Sequence, residues 1–214
     1  MKQTTAAIHV PGKLREGAIA PPIHLSTTFE HGPANESLHG FEYIRASNPN
    51  VDDLQIRLAA IEGAQHCVSF SSGMAAGVAV LQSLPPGSHV VFHQALYFDF
   101  KTLASNLLPK WGIKASSIDL TDDDALQQVS SQNPSLIWFE TPANPTMDVL
   151  DISKICAWAK PLGAKVLVDS TFAPPIIQQP LKLGADYVLH SLTKYMGGHS
   201  DVQGGAILFD TPEG

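Results

Sequence analysis

The sequence predicts an α/β fold in which helices cover a mostly parallel sheet of seven strands, preceded by an extended N-terminal arm. From about residue 51, short apolar runs alternate with segments of helical length, a pattern typical of parallel sheets whose strands are joined by helices. Residues 1–50 are instead rich in Pro, His, Ser and Thr and show no sustained periodicity. We therefore expect an arm over residues 1–50 and one large domain over residues 51–214.

The predicted helices and strands follow one another regularly within the large domain. A first helix begins at Asp52 and ends before Gly63, with apolar residues at helical spacing. The strand candidates are residues 67–70, 89–92, 114–118, 135–139, 165–169, 186–190 and 206–209. The helix-length segments between them are residues 73–84, 98–111, 122–131 and 152–161. Ligands of such sheets bind beyond the carboxyl ends of the strands, so the residues that follow each strand are the candidates for a site.

Composition excludes several kinds of partner. With 214 residues, 44% of them hydrophobic and 15% charged, the chain can bury a substantial core. A net charge of -7, from 13 Lys and Arg against 20 Asp and Glu, argues against nucleic acid or an anionic membrane as the main partner. The nine histidines show no metal-binding spacing such as His-Glu-x-x-His, so no metal site is predicted.

Sequence features also bear on where the protein resides. Residues 1–10 lack the basic start and apolar run of a signal peptide, and no stretch approaches the ~18 apolar residues of a membrane-spanning helix. Cys67 and Cys156 lie in apolar segments without Cys-x-x-Cys spacing, so we expect two small buried residues in a reducing compartment, with no disulfide. A soluble, cytoplasmic protein is expected.

Lys194 is the candidate nucleophile. It follows the predicted strand 186–190, is flanked by the hydroxyls of Ser191 and Thr193, and is followed by a pair of glycines. At the end of a buried strand we expect the amine to be poorly solvated, which favours its neutral form and attack on an aldehyde to form a Schiff base. The alternative is a solvated surface lysine, which the neighbouring hydroxyls and glycines disfavour because they suit a bound phosphate.

Two further strand ends carry groups that would suit a phosphate-bearing pyridine. Ser72, Gly73 and Met74 follow a strand and open a helix, whose free amides can hold a phosphate; an ordinary helix cap is the alternative. Asp169 ends another strand, where its carboxylate can hold a proton on a ring nitrogen, with Thr171 adding a hydroxyl. A strand-end aspartate that only caps a turn is the competing interpretation.

Asn144 and Tyr97 complete the predicted constellation. Asn144 lies between two prolines that stiffen the loop after a strand and fix the direction of its amide, although simple turn chemistry would explain the same residues. Tyr97 follows the predicted strand 89–92, where its ring can stack on a planar cofactor and its phenol can take part in proton transfer; a core tyrosine is the alternative. An amine, an acid, a stacking ring and a phosphate cradle are together what pyridoxal 5′-phosphate (PLP) requires.

These motifs together resemble the Cys/Met-metabolism, or transsulfuration, family of PLP-dependent enzymes. The matching segments, in the same order and spacing, are Tyr43-Ile44-Arg45, Ser72-Gly73-Met74, Glu140-Thr141-Pro142-Ala143-Asn144-Pro145, Val168-Asp169-Ser170-Thr171-Phe172 and Ser191-Leu192-Thr193-Lys194-Tyr195. The resemblance implies the aspartate aminotransferase-like large domain of PLP fold type I. It also implies a transsulfuration enzyme that acts at the β or γ carbon of sulfur amino acids or O-acylhomoserine, of cystathionine γ-synthase or cystathionine lyase type.

The same resemblance implies a role for each site residue. Lys194 would form the Schiff base and then act as base, Asp169 would pair with the pyridine nitrogen, and Tyr97 would stack on the ring. Asn144 would contact the ring hydroxyl. The residues expected at the phosphate are Gly73, Met74, Ser191 and Thr193. Tyr43 and Arg45 would reach the phosphate of a neighbouring subunit, which implies a homotetramer built from dimers that share active sites.

Three features depart from the family pattern. Phe98-Asp99-Phe100 follows Tyr97 where the family often has Gly-Gly-Thr or a cysteine-containing variant, which disfavours a methionine γ-lyase. Ser170 replaces the asparagine that commonly follows the ring-binding aspartate. The sequence ends at Gly214, whereas family members are nearly twice as long and carry a small C-terminal domain, which we expect to be absent here. The alternative function is therefore a truncated, non-catalytic module that binds PLP or a full-length partner.

Overall fold

The computed structural model describes residues 2–9 and 20–210. The chain forms two compact units, residues 1–61 and residues 62–214. The predicted arm of residues 1–50 falls in the first unit, and residues 10–19 of it lie outside the described part of the chain. The predicted large domain begins with the last helix of the first unit, and its last four residues, 211–214, likewise lie outside the described part.

The first unit contains two helices and, over residues 20–48, a stretch of bends, turns and isolated bridges. Helix α1 spans only Gln3–Ala6, and helix α2 spans Pro49–Glu62. Helix α2 begins three residues before the predicted Asp52 because Asn48 caps it: the Asn48 Oδ1 accepts hydrogen bonds from the amides of Asn50 and Val51 at 3.1 and 3.0 Å. Pro49 suits the first helical position, since its missing N–H would have no helical partner there.

The second unit contains one sheet of seven strands, formed at all seven predicted positions. The strands are β1 His66–Phe70, β2 His89–His93, β3 Lys114–Ile118, β4 Leu136–Glu140, β5 Lys165–Asp169, β6 Tyr187–Ser191 and β7 Gly205–Phe209. Their order across the sheet is β1-β7-β6-β5-β4-β2-β3. Strands β2 to β6 pair in parallel, and β7 runs antiparallel to both β1 and β6, so the sheet is mostly parallel with one reversed strand.

Four helices join the strands close to their predicted positions. They are α3 Gly73–Ser83, α4 Phe98–Asn106, α5 Asp123–Ser130 and α6 Ile152–Ala159. The predicted helices 98–111 and 152–161 end earlier than expected, because the chain tightens into 3₁₀ turns at Leu108–Trp111 and Lys160–Leu162. Each turn contains a proline and is followed by a glycine with positive φ, which stops the α-helix.

The core of the second unit lies on both faces of the sheet. One face packs Phe92, Trp138 and Leu167 against α3 and α4, and the other packs Ile137 and Val168 against α5 and α6. This double burial explains why the central strands read as continuous apolar runs rather than alternating ones. It leaves the carboxyl ends of the strands as the edge where polar groups gather.

The two cysteines differ in burial. Cys156 is buried in α6, as expected, whereas Cys67 is only half-buried because it lies on the edge strand β1; both thiols are free. Burial, with a contribution from Glu62, raises the pKa of the Cys67 thiol to about 12. Burial raises the pKa of the Cys156 thiol to about 11. Neither thiol is thus an activated nucleophile.

Candidate active site

A cavity of about 200 Å³ opens at the carboxyl ends of the strands in the second unit. All ten site residues predicted within this unit line it. They are Ser72, Gly73, Met74, Tyr97, Asn144, Asp169, Thr171, Ser191, Thr193 and Lys194. The sequence analysis did not place the other lining residues in the site, and these are Phe100, Glu140, Phe172, Leu189 and Gln203. Segments far apart in the sequence therefore converge on one cavity.

The amino end of α3 forms one wall of the cavity. Ser72 caps the helix, and its Oγ accepts a hydrogen bond from the Ala75 amide at 3.0 Å. Gly73 is buried against β6: a Cβ at this position would lie 2.9 Å from the Ser191 Cβ. The predicted helix cap and the predicted phosphate cradle are therefore the same structure, with a helix amino end and its positive dipole bordering the cavity.

Strand β7 brings the two hydroxyl-bearing walls together. Gly205 lies opposite Phe70 of β1 and opposite Ser191 of β6. A Cβ on Gly205 would lie 2.1 Å from the Ser72 carbonyl oxygen and 2.7 Å from the Gly73 nitrogen. Only glycine permits this approach of two backbones, and the contact fixes the start of α3 beside the end of β6.

Lys194 is exposed, so the expectation of a buried, poorly solvated lysine is wrong. It lies beyond the core, in a short helical turn Leu192–Met196 that directly follows β6, and its own φ of -97° and ψ of -124° break that turn. The side chain lines the open cavity instead of packing beneath it. Thr193, the preceding residue, is anchored by its hydroxyl, which donates to the Gly204 carbonyl at 3.3 Å and accepts from the Gly204 amide at 3.2 Å.

Asp169 is a buried acid at the end of β5, with 4% of its surface exposed. Its Oδ1 accepts hydrogen bonds from the Thr171 amide at 3.1 Å and from the Thr171 hydroxyl at 2.6 Å. The same hydroxyl accepts from the Ser191 amide at 2.9 Å, which links the ends of β5 and β6. Burial raises the pKa of Asp169, and the bonds from Thr171 oppose that rise.

Glu140 is the functional candidate that the sequence analysis missed. It ends β4 directly beside Asp169 in the parallel register, has 3% of its surface exposed, and lines the cavity. Burial and then the charge of Asp169 raise the pKa of Glu140 to about 8, although backbone amides of Asn144 and Tyr97 hydrogen-bond its carboxyl. The signal that would have found it is an acid at the last position of a predicted strand, matching Asp169 on the next strand.

Tyr97 and Asn144 present the remaining polar groups. Tyr97 immediately precedes α4 and is 37% exposed at the cavity, so it is not a core tyrosine. Its ring meets the Phe100 ring edge-on, with 6.3 Å between centroids. Its phenol hydrogen-bonds the Asp99 carboxylate, and this bond and the charge of Asp99 raise the pKa of Tyr97. Asn144 is half-buried in a turn with cis peptide bonds before Pro142 and Pro145.

Tyr43 and Arg45 belong to the first unit. The Arg45 guanidinium carbon lies 5.1 Å from the centroid of the Tyr43 ring, a cation–π arrangement. Their assignment to the phosphate of a neighbouring subunit stays a prediction. Within residues 2–9 and 20–210, no group of three or more His, Cys, Asp or Glu side chains is placed to hold a metal ion. In the same described part of the chain, no helix has both the length and the apolar character needed to cross a membrane.

The donor set fits PLP. The cavity is lined by a primary amine, a buried acid, an aromatic ring, the amino end of a helix and the hydroxyls of Ser72, Ser191 and Thr193. These groups match the aldehyde, the pyridine nitrogen, the planar ring and the phosphate of PLP. The close contacts at Gly73 and Gly205 hold the amino end of α3 against the end of β6, so this wall of the cavity is fixed by backbone packing.

Comparison with known proteins gives a consistent result. Residues 4–213 match the family model described as Cys/Met metabolism PLP-dependent enzyme. The chain is 43% identical over 198 residues to the cystathionine gamma-synthase of Mycobacterium leprae, which covers 92% of this chain and 51% of that protein. It is 36% identical over 215 residues to the cystathionine gamma-lyase of Bacillus subtilis, covering 100% of this chain and 56% of that protein.

Solved structures extend the similarity to three dimensions. The cystathionine gamma-synthase of Xanthomonas oryzae, solved in complex with cystathionine, superposes with a TM-score of 0.93 at 38% identity, covering 100% of this chain and 56% of that one. The fold type I assignment is thereby confirmed. The chain spans about half the length of the curated relatives it matches.

Proposed function

Because the chain belongs to the Cys/Met metabolism family of PLP-dependent enzymes, we propose that it binds PLP in the cavity at the carboxyl ends of its strands and serves a transsulfuration reaction. The observation that carries the proposal is the convergence of Lys194 and Asp169, which are separated in sequence by a strand and its connections, on one cavity bordered by the amino end of α3.

Each polar group has a proposed task. The amides of Gly73 and Met74, with the hydroxyls of Ser72, Ser191 and Thr193, hold the phosphate. Asp169, oriented by Thr171, holds a proton on the pyridine nitrogen. Tyr97 packs against the ring, and Asn144 hydrogen-bonds the ring hydroxyl.

The chemistry follows from this placement. When bound, PLP supplies an electron sink for negative charge at the α carbon of an amino acid. Lys194 would hold the cofactor through its amine and, once that amine is free, would take and hold the proton of the substrate's α carbon. Because Lys194 is exposed at the cavity, its amine has room to reach both the cofactor and the α carbon of the substrate.

The proposed substrates are sulfur amino acids or O-acylhomoserine, with reaction at the β or γ carbon. Support comes from relatives named cystathionine gamma-synthase and cystathionine gamma-lyase, and from the Xanthomonas oryzae structure with cystathionine. A cystathionine γ-synthase or cystathionine lyase reaction is therefore proposed.

We also propose a homotetramer built from dimers that share active sites, in which Tyr43 and Arg45 bind the phosphate in the neighbouring subunit. Large apolar side chains that are exposed in each unit support subunit contacts, among them Leu25, Val149 and Ile177. A cytoplasmic location is proposed from the two free thiols.

The first prediction tests the cofactor site. Wild-type chain incubated with PLP and then desalted should keep a visible absorption band, and borohydride reduction should fix the cofactor to the peptide that contains Lys194. Lys194→Ala should lose both signals, because it removes the only amine that lines the cavity among the described residues. Visible spectroscopy and peptide mass spectrometry measure the outcome.

Lys110→Ala is the matched control, since Lys110 is an exposed lysine in a 3₁₀ turn outside the cavity. This variant should keep the band and the labelled Lys194 peptide. A wild-type chain that stays colourless after incubation with PLP would contradict the proposal, as would labelling spread evenly over surface lysines. Release of a 2-oxoacid from cystathionine, or synthesis of cystathionine from O-acylhomoserine and cysteine, then tests the reaction.

A further inference from the structure

Two acids stand side by side at the edge of the sheet. Glu140 ends β4 and Asp169 ends β5, and the two residues are direct partners in the parallel register. Neighbouring strands lie about 4.8 Å apart, and paired residues of parallel strands point to the same face. Both side chains are buried, and both line the cavity. The site therefore contains a pair of neighbouring carboxyls, of which the proposed function uses one.

The two acids have different hydrogen-bond partners. Asp169 accepts two hydrogen bonds from Thr171, one of them only 2.6 Å long. The Glu140 carboxyl is hydrogen-bonded by the backbone amides of Tyr97 and Asn144, which lie in two separate loops of the site. Its Oε2 is buried and has no hydrogen-bond partner among residues 2–9 and 20–210. An orphaned carboxyl oxygen at a cavity wall indicates either a proton on that oxygen or a ligand contact.

The surroundings favour one negative charge on the pair. Two buried carboxylates at adjacent strand ends repel each other, so ionisation of one raises the pKa of the other. Tyr97 and Lys194 line the same cavity as the pair, and His190 on β6, whose Nε2 lies 2.8 Å from Glu62 Oε2, acts on Asp169. His190 and the donors of Thr171 favour the charged form of Asp169. These contacts favour Glu140 as the member of the pair that retains a proton.

We propose that Glu140 is a second acid of the site, which stays protonated beside an ionised Asp169, donates a hydrogen bond from Oε2 to an oxygen of the ligand in the cavity, and positions Tyr97 and Asn144 through their backbone amides. The contact with PLP rests on the proposed function, whereas the shared charge does not. Glu140 thereby limits the pair to one negative charge, and that charge lies on the acid proposed to face the pyridine nitrogen.

The first test measures the proton directly, without cofactor. Carbon-13 NMR of side-chain carboxyls in the chain labelled at glutamate should show one resonance that titrates near pH 8, where the pKa of Glu140 lies, while ordinary glutamates titrate near 4.5. The high-pH resonance should vanish in Glu140→Gln and persist in Glu30→Gln, which changes an exposed glutamate. Titration of every glutamate in the ordinary range would overturn the proposal.

A linked effect on stability is expected. Because the pKa of Glu140 is raised in the folded chain, the unfolded chain releases this proton first, and the stabilisation is present below about pH 4.5 and lost as the pH rises through about 8. The free energy of unfolding of the wild type, measured with denaturant, should therefore fall between about pH 4.5 and 8 relative to that of Glu140→Gln, which cannot ionise. If the free energy of unfolding changed with pH in the same way for both proteins, that result would count against a protonated Glu140.

The second test concerns the positioning role. Glu140→Gln keeps an oxygen that can accept from both amides, so its affinity for PLP should stay within about threefold of wild type below pH 7 and should no longer fall at higher pH. Glu140→Ala leaves the Tyr97 and Asn144 amides without that acceptor and should weaken PLP binding by about tenfold or more. Equal affinities in the two variants would refute the positioning role. A wild-type chain that binds no PLP would instead refute the proposed function, and the NMR titration would still decide the acid pair.

Discussion

At the scale of single residues, Asp99 sets the properties of the phenol at the mouth of the cavity. Asp99 lies in the first turn of α4, where a negative charge is stabilised by the helix dipole. Its carboxylate accepts a hydrogen bond from the Tyr97 phenol, and this bond and the charge of Asp99 raise the pKa of Tyr97. The phenol therefore keeps its proton to higher pH than a free tyrosine, so Tyr97 acts in the site as a hydrogen-bond donor and not as a phenolate base.

The prediction at this scale concerns that phenol. Asp99→Asn should lower the pKa of Tyr97 towards its ordinary value, because the amide carries no charge to repel a phenolate. Ultraviolet titration of tyrosinate in the wild type and in Asp99→Asn measures the change, and Tyr97→Phe identifies which step belongs to Tyr97.

Asp124→Asn is the control for that titration, because Asp124 occupies the first turn of a different helix, α5, and does not line the cavity. This variant should leave the Tyr97 step unchanged. If Asp99→Asn and Asp124→Asn gave the same tyrosinate curve as wild type, the phenol would not depend on Asp99.

At the scale of elements, β7 determines where the phosphate cradle forms. Its first residue, Gly205, touches the Ser72 carbonyl and lies opposite Ser191, so one strand end holds two loops of the site in place. The preceding glycine, Gly204, has more room: a Cβ there would lie 3.3 Å from the end of the flexible Leu192 side chain. A methyl group on Gly205 would therefore meet rigid backbone, whereas one on Gly204 would meet only a flexible side chain.

This contrast gives an element-scale prediction. Gly205→Ala should lower the free energy of unfolding by about 1–3 kcal/mol, because its Cβ collides with backbone that cannot move without shifting α3. It should also weaken PLP binding, since the start of α3 is displaced. Gly204→Ala should cost less than about 1 kcal/mol, because only a side chain must adjust. Urea unfolding measures the stability and PLP titration measures the binding. Equal losses of stability and of PLP affinity in the two variants would contradict a specific need for glycine at position 205.

Much of this element layout is predictable from sequence, because each buried strand is a short apolar run between turn residues. The direction of β7 is not, since an apolar run such as Ala206-Ile207-Leu208 reads the same in a parallel and an antiparallel pair. The site residues were predictable where a strand end met a distinctive motif, as at Lys194 and Asp169. The exposure of Lys194 and the pairing of Glu140 with Asp169 depend on strand neighbours, which no local pattern specifies.

At the scale of the whole molecule, the proposal of shared active sites rests on residues in two units of the chain. Lys194 belongs to residues 62–214, and Arg45 belongs to residues 1–61. If Arg45 of one subunit binds the phosphate of the cofactor that Lys194 of another subunit holds, the two residues of any one site come from different chains. Variants at the two positions should then complement each other.

Subunit mixing tests this arrangement. Lys194→Ala and Arg45→Ala, each expressed alone, should retain little covalently bound PLP after dialysis. Co-expressed in equal amounts, they should recover about a quarter of the wild-type sites, because half of the dimers are mixed and each mixed dimer has one intact site. Borohydride-fixed PLP per chain is the measurement. Recovery no greater than the average of the separate variants would show that the sites are not shared.

The reversed strand β7 has a consequence for synthesis on the ribosome. Strand β1 is an edge strand whose partner in the described sheet is β7, and β7 is the last strand of that sheet to be translated. Chains emerge from the ribosome amino end first. When Lys194 has emerged but β7 has not, β1 still lacks its partner strand, and the loop after β1, which contains Ser72, lacks its contact with Gly205. Capture of the cofactor should accordingly wait until residue 205 has left the exit tunnel, although Lys194 is translated earlier.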